Sequence, residues 1–173
     1  MLIKFIGMVL IVSGFGGWGM SGAHRLRGRV KHLRDLHMAL GYLEKEITCM
    51  YNPLSQALEN TAHFSPLPVA RLFSATANVL RDKSGVTARE AWLQGIAQLQ
   101  PVAQLLDSDY ELLAAAAHQL GASDAAQQRK FLNTLQEQLK ITEEKARQNM
   151  ESGQKLWTYG GFLAGLLVVL LLI

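Results

Sequence analysis

The side chains that could carry chemistry in this chain are few and scattered. Histidines occur at positions 24, 32, 37, 63 and 118, and none forms a His-x-x-x-His or Glu-x-x-His pair, the spacings typical of helical metal sites. The single cysteine, Cys49, has no partner for a disulfide, and we interpret it as a small buried apolar residue because no paired base is evident. The sequence therefore predicts no catalytic residue, no cofactor and no metal.

Nucleotide chemistry is not indicated either. The chain lacks the Gly-x-x-x-x-Gly-Lys-Ser/Thr loop that cradles phosphates in common ATPases. Glycines cluster between Gly14 and Gly19, but no strand precedes them and the surrounding residues are apolar, so helix packing is the better interpretation. A flexible segment without specific packing is the alternative. Small residues at four-residue spacing, which lets helices approach closely in lipid, are Ser13, Gly17 and Ser21, and Gly161 and Gly165.

Both ends of the chain are predicted to be transmembrane helices. Residues 1–23 are apolar except for Lys4, and residues 156–173 carry no charge. Each segment, as a helix, is about long enough to cross the roughly 30 Å hydrocarbon core. A cleaved signal peptide is the alternative for the first segment, because Ser21-Gly22-Ala23 imitates a cleavage site.

A basic cluster directly follows the first predicted span. Basic residues beside a span stay on the cytoplasmic side, so residues 24–155 are predicted to be a cytoplasmic domain with both termini on the opposite face of the membrane. The cluster would oppose export, which argues against the signal peptide. We expect it to touch anionic lipid, with His24 and His32 solvated or facing lipid. Its members are Arg25, Arg27, Arg29, Lys31 and Arg34.

The charge of the middle of the chain differs from that of the whole. The formal net charge is +3, yet residues 36–155 carry eleven Lys or Arg and thirteen Asp or Glu. The basic excess therefore lies at the membrane junction. Because a nucleic-acid-binding domain normally presents a basic face, we predict that nucleic acid is not a partner.

The apolar spacing of the middle predicts helices. Residues three and four apart form a stripe from Leu33 to Met50, so a long helix is expected there, ending at Asn52-Pro53. Two short helices should follow, separated by Pro66 and Pro68.

Capping signals mark three further helices. Thr87 with Glu90 forms a capping box before a helix expected to bury Trp92, Leu93, Ile96 and Leu99, and a second box is expected from Ser108 to Glu111. Asp124 is predicted to cap the final helix. No segment alternates as a strand does. The predicted fold is an all-α antiparallel bundle of about six helices, flanked by N- and C-terminal transmembrane helices.

The final helix carries the densest set of polar side chains. They lie off its apolar stripe of Leu132, Leu135 and Leu139, so we expect them to be exposed and available to a partner protein. A merely solvated face is the alternative, and the turn from Asn52 to Ser55 is then the next candidate. The predicted partner-binding residues are Glu137, Lys140, Glu143, Glu144 and Arg147.

Several short motifs occur in an order typical of one family. They are Glu46-Ile47, Asn-Pro-Leu-Ser-Gln-Ala-Leu at 52–58, Thr-Ala-Arg-Glu-Ala-Trp at 87–92, Leu120-Gly121 with Asp124 and Gln128, and Leu-Ala-Gly-Leu-Leu at 163–167. The chain resembles, over nearly its whole length, the stage III sporulation protein AB family of endospore-forming bacteria. That family is similar to the cytoplasmic domain of inner-membrane platform proteins in type II secretion and type IV pilus systems.

The resemblance implies a location and partners. It implies a six-helix bundle on the mother-cell side of the forespore outer membrane, within the channel complex between mother cell and forespore. It also implies contact with the other stage III sporulation AA to AH proteins, including a secretion-type ATPase. We therefore predict a non-enzymatic adaptor, and further copies of the chain, in a homo-oligomer, are among its candidate partners. A membrane-tethered sensor that binds a ligand between helices is the alternative, and a lipid-modifying enzyme lacks clustered acid, base or nucleophile.

Overall fold

The computed structural model describes the backbone of residues 2–82, 85–117, 120 and 125–172, and the side chains of residues 24–82, 85–117, 120, 127–153 and 163. All regular secondary structure in this part of the chain is helical, which confirms the predicted all-α class and the count of six. The helices are α1 (Leu2–Thr48), α2 (Leu54–Phe64), α3 (Val69–Arg81), α4 (Ala88–Leu99), α5 (Asp107–Ala116) and α6 (Ala125–Leu172).

The chain divides into two compact units. One contains Met1–Val30 and Lys145–Ile173, and the other contains Lys31–Glu144. In the first unit, a Cβ added at Gly153 would lie 2.9 Å from Leu26 Cδ1. Glycine therefore lets α6 approach α1 closely at this point.

The predicted membrane spans fall almost entirely outside the residues whose side chains are described. Within the described part, no helix is long and apolar enough to cross a membrane. Apart from Leu163, the side chains of the segments 1–23 and 156–173 lie outside the residues on which that finding rests, including those of Ser13, Gly17, Ser21, Gly161 and Gly165.

The second unit is built on the apolar faces of its two longest segments. In α1, the predicted stripe is buried from Leu33 to Ile47, and its leucines at 33, 36, 40 and 43 are at most 1% exposed. In α6, Leu132, Leu135 and Leu139 are buried, again as predicted. The three- and four-residue spacing therefore identified the core faces of both helices.

The end of α1 differs from the prediction. The helix ends at Thr48, whereas the sequence predicted that it would continue to Asn52, directly before Pro53. Tyr51 adopts a φ of +54°. A right-handed helix cannot contain that left-handed conformation. The reversal leaves Cys49 and Met50 exposed, so their predicted burial was wrong.

Helices α2 and α3 form the predicted pair separated by prolines. The turn between them contains a cis Leu67–Pro68 peptide bond. Helix α2 buries Ala57, Leu58 and Thr61. Helix α3 buries Val69, Leu72, Phe73, Thr76 and Ala77.

Helix α4 begins with the predicted capping box. The Thr87 N–H donates to Glu90 Oε2 at 2.9 Å, and the Glu90 N–H donates to Thr87 Oγ1 at 3.3 Å. Trp92 is fully buried, with Nε1 donating to the Leu113 carbonyl of α5 at 2.8 Å and its ring edge-to-face with Phe73 of α3. Leu93 is 38% exposed, so its predicted burial was wrong. It lies about 100° around the helix from Trp92, which points inward.

Helix α5 begins earlier than predicted. Its N-cap is Leu106, and the carboxylate of Asp109 accepts the Leu106 N–H at 3.0 Å. Asp109, the third residue of the helix, therefore caps the first turn by accepting the N–H of the N-cap residue. The predicted capping box from Ser108 to Glu111 was wrong. Asp124, the predicted cap of α6, lies outside the described residues.

Candidate functional site

The turn between α1 and α2 presents two large apolar side chains to solvent. Tyr51 is 82% exposed and Met50 is 63% exposed, the former being the most exposed large apolar residue in the described part. Aromatic residues and methionine are enriched at protein–protein interfaces. We call Cys49–Asn52 the docking turn.

Tyr51 is held in an unfavourable backbone conformation. Its φ of +54° places a side chain with a Cβ in the left-handed region, at a cost of about 1–2 kcal/mol. Glycine would occupy the same position without that cost. Contacts elsewhere must therefore hold the turn in place.

A buried carboxylate supplies those contacts. Glu46, only 2% exposed, lies in the last turn of α1. Its Oε2 accepts from Asn52 Nδ2 at 2.8 Å and from Asn60 Nδ2 at 2.7 Å. Its backbone carbonyl also accepts the Asn52 N–H at 3.1 Å. Glu46 thereby joins the end of α1, the docking turn and α2.

The electrostatics of this group favour the ionised carboxylate. Hydrogen bonds from Asn60, and then from Asn52 and Tyr42, outweigh burial and lower the pKa of Glu46 below its usual value. The same contact with Glu46 raises the pKa of Tyr42. The Tyr42 ring also stacks on Phe64 of α2 with centroids 4.5 Å apart. The docking turn is therefore braced by charge-assisted hydrogen bonds and by ring packing.

Sequence reasoning identified only part of this group. Glu46 and Asn52 belong to the motifs quoted above, and the structure brings them together. Asn60 was missed, because nothing in its sequence neighbourhood distinguishes a helix asparagine that reaches a buried carboxylate from one in solvent. The exposure of Tyr51 was also missed, since a tyrosine in the left-handed region has no sequence signal.

The predicted docking face of α6 is only partly exposed to solvent. Glu137, Lys140 and Glu144 are exposed, as expected. The side chain of Glu143 is 15% exposed and lies 3.2 Å from Arg34 Nε of α1, so its predicted exposure was wrong. Its position beside the apolar stripe turns it toward α1.

Other polar residues of α6 also contact neighbouring side chains. Arg147 is exposed and forms an ion pair with Glu151, one turn later, at 3.7 Å. Arg129 Nε lies 3.4 Å from Glu44 Oε1, and Gln136 Nε2 donates to Glu44 Oε2 at 3.0 Å. Much of the polar face of α6 therefore serves to hold α1 and α6 together.

The basic cluster that follows the first predicted span is mainly exposed to solvent. Arg25, Arg27, Lys31 and Arg34 are exposed, and Arg29 is partly covered. The adjacent His32 was predicted to be solvated or lipid-facing, which was wrong. Its Nδ1 accepts the Gln104 N–H at 2.9 Å, and burial lowers its pKa.

Two open grooves lie on the described surface. One, of about 440 Å³, separates α5 from α6 and is lined by Leu112, Lys130, Phe131 and their neighbours. The other, of about 290 Å³, separates α2 from α3. Among the described residues, no group of three or more His, Cys, Asp or Glu side chains could hold a metal ion.

These features define a helical bundle that displays apolar and charged groups at its surface. The sequence model of the family described as stage III sporulation protein AB matches residues 4–173. The chain is 34% identical over 171 residues to the stage III sporulation protein AB of Bacillus subtilis (strain 168), covering 99% of both chains. It also resembles a solved structure, stage III sporulation protein AB (SpoIIIAB), with a TM-score of 0.66 and 32% identity. That likeness covers 71% of this chain and 96% of the other.

The chain therefore belongs to the stage III sporulation protein AB family, and the resemblance seen in its motifs is confirmed. This membership makes it a component of sporulation.

Proposed function

We propose that the protein is a membrane-anchored, non-enzymatic adaptor of the sporulation apparatus. Its helical domain is a platform that couples a secretion-type ATPase to the membrane assembly between mother cell and forespore. The observation that carries this proposal is the docking turn, where Tyr51 is at once strained and 82% exposed. Neither property helps the domain to fold, so the side chain is available for a partner.

The position of the docking turn suits a cytoplasmic partner. Thr48, just before the turn, is fourteen residues along α1 from Arg34, the last member of the basic cluster. At 1.5 Å per residue, this separates the turn from the basic cluster by about 21 Å. A motor protein can therefore reach Tyr51 while the junction remains at the membrane.

The membrane attachment is proposed from the sequence. Residues 1–23 and 156–173 are the two apolar runs, and the basic residues that follow the first favour a cytoplasmic domain. In a sporulating cell this places the domain in the mother-cell cytoplasm, the spans in the forespore outer membrane, and both termini between the membranes. The partners are then other stage III sporulation AA to AH proteins, and nucleic acid is not among them.

The polar face of α6 is a second proposed contact. Glu137, Lys140, Glu144 and Arg147 are exposed there. Glu143 does not belong in a test of this face, because its ion pair with Arg34 means that reversing its charge also disturbs folding. Glu137→Lys is the informative substitution, with Lys140→Glu as a second site on the same face.

Photo-crosslinking tests the docking turn directly. A photoreactive phenylalanine at position 51 of the full chain is expected to crosslink to the secretion-type ATPase in sporulating cells, detected with an antibody against that ATPase. The same residue at position 67 is the matched control, since Leu67 is 67% exposed but lies at the turn between α2 and α3. Equal yields at both positions, or no crosslink at position 51, would contradict the proposal.

A ligand-binding sensor is favoured by one observation, the groove between α5 and α6. Its volume of about 440 Å³ and its apolar floor beside Lys130 suit a small anionic molecule. A rise in the melting temperature of the purified protein on adding metabolites, without any ATPase, would support this second function.

A further inference from the structure

An apolar patch is exposed on the second unit where α1 meets α2. Phe64, the last residue of α2, is 57% exposed although its ring stacks on that of Tyr42. Met38, one helical turn before Tyr42 on α1, is 49% exposed. We call Met38, Tyr42 and Phe64 the α1 patch. Aromatic and methionine side chains are enriched at protein interfaces, and a contiguous exposed group of them indicates an interface more strongly than single residues do.

Lysines lie at both ends of the α1 patch. Lys31 and Lys45 are each seven residues from Met38, which places the three side chains on one face of the helix, two turns apart. Both lysines are exposed, whereas the acidic residues of this stretch, at positions 35, 44 and 46, are buried or half-buried. The exposed charge of this face of α1 is therefore positive. It fits an apolar side chain that is flanked by carboxylates.

Such an arrangement occurs on α6 of the same chain. Ile141 is 55% exposed, with the exposed Glu137 four residues before it and the exposed Glu144 three residues after it. These spacings put the three side chains on one face of the helix. Lys140 is also exposed, but it lies about 100° around the helix from Ile141, at the edge of this face. We call Glu137, Ile141 and Glu144 the α6 stripe.

The antiparallel register of α1 and α6 within one chain shows which of their residues lie at the same level of the bundle. Arg34 contacts Glu143. Seven residues further along α1, a Cβ added at Gly41 would lie 3.1 Å from Oε1 of Gln136, which is seven residues earlier in α6. Each position of α1 in the second unit therefore has a counterpart at its own level on α6.

The α1 patch and the α6 stripe lie at nearly the same level in this register. Ile141 is two residues, or about 3 Å, from the level of Met38. When two copies in the same orientation are placed side by side with Ile141 level with Met38, the carboxylates of the α6 stripe lie about 4.5–6 Å, measured along the helix axes, from Lys31 and Lys45. The flexible four-carbon stem of lysine spans such an offset.

We propose that a second copy of the chain binds the α1 patch, with the α6 stripe of one copy packed on the α1 patch of the next and its carboxylates meeting Lys31 and Lys45. The contact is heterologous, because each copy uses different surfaces towards its two neighbours, and its repetition builds a ring or a filament. The inference rests on the contact proposed above for the polar face of α6 and names the partner of that face. It also uses the proposed anchoring, which gives all copies one orientation.

Crosslinking between two copies in sporulating cells tests this contact. Two differently tagged full-length chains, both with Cys49→Ser, carry Met38→Cys and Ile141→Cys respectively, and a short bismaleimide is added. A dimer that contains both tags is expected. Leu93→Cys in place of Ile141→Cys is the matched control, since Leu93 is also an exposed apolar residue but lies on α4, and its yield should be about tenfold lower. A dimer formed mainly between two Ile141→Cys chains would overturn the proposal, because α6 would then pair with itself.

An exchange of charge tests the pairing within the contact. Glu137→Lys is expected to lower the yield of the mixed dimer about tenfold, because it brings two cations together. Lys45→Glu in the same chain restores opposite charges and should recover most of the yield, and failure to recover it with unchanged melting temperatures would contradict the pairing.

The two proposals for the α6 face fail in different ways. If the mixed dimer is absent but Glu137→Lys still reduces co-purification of another sporulation protein, the second copy is excluded and the proposed contact at the polar face of α6 stands. If the mixed dimer is absent and co-purification is unchanged, both are wrong.

Discussion

Asn60 Nδ2 lies 2.7 Å from Glu46 Oε2, although fourteen residues separate the two along the chain. This bond ties the middle of α2 to the end of α1 across the docking turn. Asn52, from the turn itself, donates to the same oxygen. One buried carboxylate thus orders the segment that displays Met50 and Tyr51.

Replacing Glu46 by Gln should destabilise the protein by about 1–3 kcal/mol, because two amide donors lose their charged acceptor. The pKa of Glu46 is lowered from 4.5, so its stabilising effect is present above that value and is lost as the pH falls through the folded-state pKa. The difference between wild type and Glu46→Gln in urea unfolding should therefore be largest near neutral pH and shrink in acid. Glu59→Gln is the control, since the ion pair of Glu59 within the described part of the chain is with the exposed Arg81, and its effect should be below about 0.5 kcal/mol. An equal effect of both substitutions would show that Glu46 does not brace the turn.

Among the side chains that the structure describes, Trp92 is the largest that is fully buried. Its replacement by Ala should reduce stability by about 3–5 kcal/mol, from lost burial and the cavity left between α3, α4 and α5. Trp92→Phe keeps a ring against Phe73 but removes the hydrogen bond to the Leu113 carbonyl, so a smaller loss is expected. Unfolding followed by circular dichroism measures both. A negligible effect of Trp92→Ala would mean that the core is not packed around this ring.

Gly95 lets α4 approach α3 closely. An added Cβ would meet Thr76 Oγ1 and would lie 2.6 Å from the Leu72 carbonyl oxygen. Because a backbone atom cannot yield as a side chain can, Gly95→Ala should destabilise by about 1–3 kcal/mol. Gly41→Ala is the matched control within a helix, since its Cβ would lie 3.1 Å from Oε1 of the flexible Gln136. Its expected effect is neutral to about 1 kcal/mol stabilising, from helix propensity. Similar melting temperatures for the two variants would contradict this view of the α3–α4 contact.

Asp35 is a buried carboxyl, 5% exposed, whose Oδ2 has no hydrogen-bond partner among the described residues. Burial raises its pKa above 3.8, although the nearby side chains of Lys31, His32 and Arg34 act in the opposite direction. A raised pKa favours the fold when the group is protonated, and that contribution is lost as the pH rises through the folded-state value. Asp35→Asn should therefore raise the melting temperature at pH 7, with a gain that disappears in acid. A gain that is independent of pH, or a loss at pH 7, would exclude this assignment.

The parts of the fold that depend on repeated apolar spacing could be predicted from the sequence. The buried faces of α1 and α6, and the capping box of Thr87 and Glu90, follow from residues close in the chain. The end of α1 could not be predicted, because it depends on Asn60 reaching back to Glu46 from another helix. The burial of Glu143 depends in the same way on Arg34, which is 109 residues away. The local spacing of residues in the sequence carries no information about such long-range polar contacts.

We expect the Tyr51 ring to serve a partner and not the fold. Tyr51→Gly separates the two, since glycine accepts a φ of +54° without strain and removes the ring. The variant should be as stable as wild type, or more stable by up to about 1 kcal/mol, while its binding to the ATPase weakens about tenfold or more, as for an interface hot spot. Leu67→Ala, which removes another exposed apolar side chain, is the control and should change neither property.

The most direct measurement is the frequency of heat-resistant spores in cells whose only copy of the chain carries Tyr51→Gly. Expression level and melting temperature of the variant are measured in parallel. The proposed docking role predicts a large loss of spores with folding intact and with normal sporulation in the Leu67→Ala strain. Wild-type spore numbers from a stably expressed Tyr51→Gly protein would contradict it.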